Sequence, residues 1–253
     1  MNIPFLSGPA RYEPRGQWRP LHAFVAACVI LVAALSIAVV VIYAAGYVVL
    51  GDAYEQASEE HAELISVLSL LLGAILMALL AWLAAGLYGD RACAVLQLDG
   101  PMPSITDAAA AISGYTLMYS VAAALRHTID PATFLADFAA ENTTSIQILG
   151  QVYWPLLFPA LVISYLGIEI LFDGFLLSGL AKSRWGFWPP VMLISLIASY
   201  SVGPSILASS QEFLLSIYSA WLIWRSGRLW LAMLCSVWGV TADALISAVY
   251  VWG

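Results

Sequence analysis

The chain has 253 residues, of which 62% are hydrophobic and only 10% are charged, and its mean hydropathy is +0.89. Soluble domains carry about 25% charged residues, so this composition excludes a water-soluble globular protein and a disordered chain. The net charge of −7 argues against binding to nucleic-acid phosphates, and three cysteines are too few for a disulfide framework. The sequence therefore predicts an all-α, polytopic transmembrane helix bundle.

Apolar runs along the chain predict about seven membrane crossings. A spanning helix needs about 20 mostly apolar residues, because the hydrocarbon core is about 30 Å thick and a helix rises about 1.5 Å per residue. The fourth run is too long for one upright crossing and contains two acids, so we expect it to be tilted, broken or buried within protein. The third run opens at Asp107, in a predicted N-cap region, and Gly203-Pro204 predicts a turn. The runs are 21–50, 64–88, 107–125, 148–180, 187–202, 211–224 and 229–252.

The positively charged residues are sorted between the two sides of the predicted bundle. With seven crossings and a cytoplasmic N-terminus, eight of the nine Lys and Arg residues lie on the cytoplasmic side, and only Arg126 does not. The first external loop, residues 51–63, has five acids and no Lys or Arg. This sorting follows the positive-inside rule. The eight residues are Arg11, Arg15, Arg19, Arg91, Lys182, Arg184, Arg225 and Arg228.

The same pattern predicts the domain organisation and the location. Residues 1–20 are expected to form a cytoplasmic interfacial segment with Trp18 at headgroup depth, and residues 21–253 a single transmembrane domain. The first apolar stretch, of about 30 residues, is too long for the h-region of a cleavable signal peptide, which has about 7–15 residues. We expect a multi-pass protein of the bacterial inner membrane, with its N-terminus cytoplasmic and its C-terminus periplasmic.

Ionisable residues inside the predicted spans are the candidate functional residues, since a charge at mid-bilayer costs at least about 2.5–3.5 kcal/mol. The candidates are Glu169, Asp173 and Asp243. Glu169 and Asp173 are four residues apart, so on a helix they share one face, and both cannot be ionised cheaply there. The simplest interpretation is a polar contact without chemistry. An aspartyl-type peptidase or a proton relay in a small transporter stays open as an alternative.

The sequence predicts no metal site and no cofactor. His22, His61 and His127 stand apart from the intramembrane acids, and no helical zinc-binding spacing occurs. Five of the ten tryptophans cluster at predicted cytoplasmic helix ends, which is typical of an interfacial aromatic belt. A bound lipid or pigment remains an alternative reading of the same residues. These tryptophans are Trp185, Trp188, Trp221, Trp224 and Trp230.

Residues 168–190 resemble the first signature of the CPBP family of intramembrane CAAX and bacteriocin-processing proteases. The family pattern is Glu-Glu-x-x-Phe-Arg-Gly, then a short basic loop and a Trp-Pro that opens the next helix. The stretch 222–230 is similar to the end of the family's penultimate helix, and the resemblance extends over about residues 150–250. The matching residues are Glu169, Phe172, Gly174, Trp188 and Pro189.

Most catalytic positions of the family carry other side chains in this chain. The resemblance implies a Glu pair and two His that polarise a water or hold a metal. Of these residues only Glu169 is retained, and residues 186–253 contain no histidine. The other positions of the three family signatures fall on Ile168, Asp173, Ala198, Val202, Ser236 and Val240.

The resemblance and its departures together predict a degenerate, non-catalytic CPBP-like protein. We expect it to act as an accessory, assembly or scaffold subunit whose partners are other integral membrane proteins and the lipid bilayer, with no role for nucleic acid. Two alternatives from other classes are an active intramembrane endopeptidase that processes prenylated or leader peptides and a small proton-linked transporter.

Overall fold

The computed structural model describes residues 10–55, 58, 62–88, 90–131, 154–200 and 206–252. All regular elements in these ranges are helical, which confirms the predicted all-α membrane bundle. Four of the described helices are long and apolar enough to cross a membrane, and shorter apolar helices accompany them. Because each of the seven apolar runs contains a described helix, the structure agrees with about seven crossings.

The helices differ from the predicted runs mainly at their starts. In chain order they are α1 (Pro20–Leu50) with a 3-10 turn (Gly51–Ala53), α2 (Ala62–Gly86), α3 (Ala92–Val95), α4 (Ile105–Ile129), α5 (Trp154–Glu169), a π-helical segment (Ile170–Leu176), α6 (Leu177–Leu180), α7 (Trp188–Tyr200), α8 (Ile206–Ser226) and α9 (Trp230–Trp252). The predicted cap at Asp107 is wrong, because the Asp107 amide donates to Oγ of Ser104, 3.1 Å away, and Ser104 is the N-cap of α4. The predicted turn at Gly203-Pro204 lies outside the described residues.

The fourth run is both broken and buried. It changes from α-helix to π-helix at Ile170, and the amide of Leu177 donates to the carbonyl of Phe172, five residues earlier. Half of its most apolar window is buried, compared with 11% to 28% in the other three long spans. π-Helical turns inside α-helices are frequently found at functional sites. This run is therefore an interior helix of the bundle, which explains how it can carry two acids.

The helices surround a central space. α1 packs on α2, and α2 packs on α5 and on the π-helical segment. α5 packs on α9, while α8 contacts α4, α7 and α9. The closest backbone approach at a glycine lies between α5 and α2, where a Cβ built on Gly167 would be 2.6 Å from the carbonyl oxygen of Ala74. The bundle thus encloses its centre on most sides.

Residues 10–19, which we call the N-terminal strap, lie across one end of the bundle. The amides of Arg11 and Tyr12 both donate to the carbonyl of Trp224, each at 3.2 Å. The Arg15 guanidinium forms an ion pair with Asp99 at 2.6 Å. Further bonds join the strap to Ala84, Gln97, Ser178 and Lys182. Three connections therefore meet the strap at one end of the bundle. The eight Lys and Arg residues predicted to be cytoplasmic all lie at this end. The connections are those around 87–104, 181–187 and 226–229.

The Trp18 side chain packs against the helix bundle. Its indole Nε1 donates to the carbonyl of Ala84 at 2.9 Å, and its ring packs edge-on against Phe175 and Tyr88. Nearby, the Tyr12 ring contacts Phe187, and burial raises the pKa of the Tyr12 hydroxyl above its ordinary range. The half-buried indole of Trp18 therefore joins the strap to the bundle, and its depth at the headgroups stays a prediction.

Other tryptophans at this end also contact protein. The rings of Trp188 and Trp224 lie 5.6 Å apart, and Nε1 of Trp230 donates to the carbonyl of Leu98 at 3.3 Å. Trp185 differs, since 67% of its surface is exposed. The tryptophans therefore differ in their surroundings. Trp185 is exposed, whereas Trp188, Trp224 and Trp230 contact other residues at the helix ends.

Candidate functional site

The central space is a cavity of about 390 Å³. α1, α2, α4, the α5–π segment, α7, α8 and α9 all contribute side chains to it. Most of the lining is aliphatic or aromatic. The polar groups are three carboxyl groups, on Glu169, Asp173 and Glu212, and the hydroxyl groups of Tyr115, Tyr165, Ser216, Ser219 and Ser236. The cavity is therefore an apolar chamber with a small acidic region.

Glu169 and Asp173 are neighbours in this cavity. Glu169 is the last residue of α5, and Asp173 lies in the π-helical segment that follows. Their carboxyl groups lie close enough to interact, and both residues are half-buried. Two adjacent carboxyl groups in a largely apolar cavity cannot both be ionised at low cost. We therefore expect the pair to hold at least one proton when the cavity contains no cation.

Ser236 of α9 connects a third helix to this pair. Its hydroxyl donates to Oε1 of Glu169, across 67 residues of sequence. The second carboxylate oxygen, Oε2, is buried and accepts no hydrogen bond from the described residues. Buried polar atoms in native proteins nearly always have a partner. Oε2 is thus an acceptor for the proton that Glu169 shares with Asp173, or for a donor that enters the cavity.

The residues at three family signature positions meet in the cavity. Ala198 of α7 and Ser236 of α9 both line it together with Glu169. Val240 is buried nearby in α9, and Val202 lies outside the described residues. The helices therefore bring these positions to one place, as the signature spacing predicts. In the cavity, Ala198 stands where the second signature has phenylalanine, and Ser236 stands where the third signature has histidine.

The third acid predicted from the sequence, Asp243, lies on α9, and its side chain is outside the described part of the structure. No histidine occurs among the described lining residues, and His61 is outside the described part of the chain. Within the described residues, no group of three or more His, Cys, Asp or Glu has metal-ligand spacing. The roles of the three predicted acids stay predictions.

Glu212 is a cavity residue that the sequence analysis did not single out. The predicted sixth apolar run begins at 211, so Glu212 stands at its edge and is not among the predicted intramembrane acids. α8 begins at Ile206, which moves Glu212 inside the span. Because an acid within an apolar run is itself a signal, a longer sixth run would have revealed it.

Ser236→Ala is expected to lower the free energy of unfolding by about 1–3 kcal/mol, the usual cost of leaving a buried polar group without its partner. Thermal unfolding in lipid nanodiscs measures this change. In a Glu169→Leu background the same substitution should cost little, since no carboxylate remains to lose its donor. An equal cost in both backgrounds would show that the Ser236–Glu169 hydrogen bond does not stabilise the fold.

Part of the chain matches a protein-family model, and that part contains the acidic residues of the cavity. Residues 150–238 match the family model described as type II CAAX prenyl endopeptidase Rce1-like. No curated protein and no solved structure matches the chain. The matched segment contains Glu169, Asp173, Ala198, Glu212 and Ser236, and so includes the whole acidic region of the cavity. The predicted resemblance is therefore confirmed for the segment that builds the site, and residues 150–238 are similar to the type II CAAX prenyl endopeptidases of the CPBP family.

Proposed function

We propose that this multi-pass membrane protein is a non-catalytic relative of the CPBP proteases that acts as an accessory, assembly or scaffold subunit of a larger membrane complex. One observation carries the proposal. Ile168 and Ser236 line the cavity together with Glu169, at positions where the family pattern has glutamate and histidine. The scaffold that would hold the catalytic groups is kept, while the side chains at two of those positions cannot perform the family chemistry.

The chemical requirement supports this proposal. Peptide hydrolysis needs a base that activates water and donors that stabilise the oxyanion. Neither the aliphatic side chain of Ile168 nor the hydroxyl of Ser236 is a general base near neutral pH, and the Ser236 hydroxyl already donates to Glu169. Glu169 and Asp173 can share a proton, but the described lining contains no imidazole that would act as the base. We also propose that the protein lies in the bacterial inner membrane. The end of the bundle that carries the strap and most Lys and Arg residues would then face the cytoplasm.

An accessory role fits the short connections between the described helices at the strap end. The described connections at the strap end are short, for example 181–187 and 227–229, so partners would meet mainly helix faces. Purification of the tagged protein from its native membrane in mild detergent should recover other integral membrane proteins in fixed stoichiometry. Recovery of the protein alone, as a monomer or homodimer, would contradict the proposal.

The adjacency of Glu169 and Asp173 is the observation that favours the alternative of an aspartyl-type peptidase. We expect purified protein to cleave a prenylated peptide no faster than the Glu169→Gln/Asp173→Asn double variant. A fluorogenic peptide assay in liposomes measures this rate. Turnover that the wild type shows and the double variant lacks would establish the peptidase and exclude the non-catalytic role.

A further inference from the structure

The cavity has a strongly one-sided charge distribution. Three carboxyl groups line it, and its described lining includes no Lys, Arg or His. Lys182, the cation nearest to Asp173 in sequence, donates instead to the carbonyl of Gly16 in the strap. Buried carboxylates in proteins are normally paired with a cation or hydrogen-bonded to donors. The part of this region formed by Glu169 and Asp173 is therefore complementary to a positively charged or donor-rich group.

The rest of the cavity is complementary to hydrocarbon. Leu31 and Leu35 of α1, Met77 of α2, Phe172 and Ile194 form a continuous apolar wall. The volume of 390 Å³ lies near the lower end of the range for small-molecule pockets, about 300–1,000 Å³. A helix with its side chains is about 10–12 Å wide, so a whole transmembrane helix does not fit. The cavity suits a single small amphiphile.

The cavity lies among helices that are long and apolar enough to cross a membrane. Several of its apolar lining residues are partly exposed, with between 37% and 46% of their surface accessible. They lie on α1, α2 and α5, which belong to such spans, and on the shorter apolar helix α7. We therefore expect a ligand of this cavity to enter from the bilayer. These residues are Leu35, Leu70, Tyr165, Ile168 and Ile197.

We propose that this cavity is a binding site for lipophilic amines. The protonated amine would lie against Glu169 and Asp173 and donate to Oε2 of Glu169, while the hydrocarbon chain would follow Leu31, Leu35 and Met77. A cation between the two carboxyl groups allows both to be ionised, which removes the cost that the empty pair carries. Charge-assisted hydrogen bonds are stronger than neutral ones, so an amine is preferred over an alcohol of equal length. This inference goes beyond the accessory role and does not depend on it.

A photo-crosslinking experiment tests this site directly. Full-length protein in phosphatidylcholine nanodiscs is exposed to dodecylamine carrying a diazirine near the end of its chain, and the labelled peptides are mapped by mass spectrometry. We expect labelling of cavity residues in α1, α2 and α5, about tenfold stronger than with the matched dodecanol probe, which corresponds to about 1.4 kcal/mol. Unlabelled dodecylamine should compete, and dodecanoic acid should not.

Two variants separate the acidic region from general charge effects. Glu169→Gln should reduce amine labelling to the level of the alcohol probe, whereas Glu13→Gln, an equal change on an exposed strap residue, should leave it unchanged. Equal labelling of the wild type by amine and alcohol overturns the proposal, and so does amine labelling confined to residues outside the cavity. The wild-type comparison decides the question even if Glu169→Gln does not fold.

Discussion

Replacing Gly167 by valine is expected to prevent the accumulation of folded protein. A Cβ at this position would lie 2.6 Å from the carbonyl oxygen of Ala74 and 3.1 Å from its Cα, and both are backbone atoms of α2 that no side-chain rotation can move. Overpacking of a core typically costs about 1–3 kcal/mol, and a β-branched side chain against backbone lies at the upper end of this range or beyond it. The expected result is separation of α5 from α2 and collapse of the cavity wall between them.

The yield of monodisperse protein after extraction, and its melting temperature, measure this effect. Gly167→Ala should give an intermediate result, since it adds only the Cβ. Gly86→Ala is the matched control, because a Cβ built on Gly86 at the end of α2 has no neighbour within 4 Å. Wild-type behaviour of Gly167→Val would mean that the two helices do not approach as closely as described.

Trp18→Ala is expected to release the N-terminal strap. The substitution removes the ring contacts with Phe175 and Tyr88 and the hydrogen bond to Ala84. Truncation of a core tryptophan costs about 3–5 kcal/mol, and for this half-buried ring we expect about 2–3 kcal/mol. Trp18→Phe keeps a ring and loses only the hydrogen bond, for which about 1 kcal/mol is expected.

Limited trypsin digestion distinguishes release of the strap from global unfolding, because Arg11 and Arg15 lie in the strap and neither is followed by proline. Cleavage there should become faster in Trp18→Ala, while the helices stay protected. Trp185→Ala is the matched control, since Trp185 is 67% exposed and lies at the same end of the bundle. Equal cleavage rates in the two variants would show that Trp18 does not hold the strap.

Hydropathy and charge were sufficient to predict the helices and to group the connections that share one end of the bundle. They could not predict details that depend on tertiary partners. Ser104 replaces Asp107 as the cap of α4, and Trp18 packs against the bundle because Phe175 and Ala84 provide its contacts. The π-helical turn at Ile170 has no signature in an apolar run, since apolar residues fit either helix.

The site was predicted in part for the same reason. The spacing of the family signatures aligns Glu169, Ala198 and Ser236 with the three signatures, and all three residues line the cavity. The hydrogen bond from Ser236 and the contribution of Glu212 depend on how α8 and α9 are placed against the π-helical segment. No local pattern contains that information, because the partners are far apart in sequence.

The strap also orders events during synthesis. Its first anchor, the carbonyl of Trp224, is translated more than two hundred residues after the Tyr12 amide that binds it. At about 5–20 residues per second, the ribosome takes on the order of ten to forty seconds to produce this acceptor. During that interval Tyr12 lacks this acceptor, whereas the strap's partners Ala84 and Asp99 are translated much earlier. Binding of the Arg11 and Tyr12 amides to Trp224 is consequently a late event. A chain that stops before α8 and α9 leaves these first strap residues undocked, and proteases can cleave there.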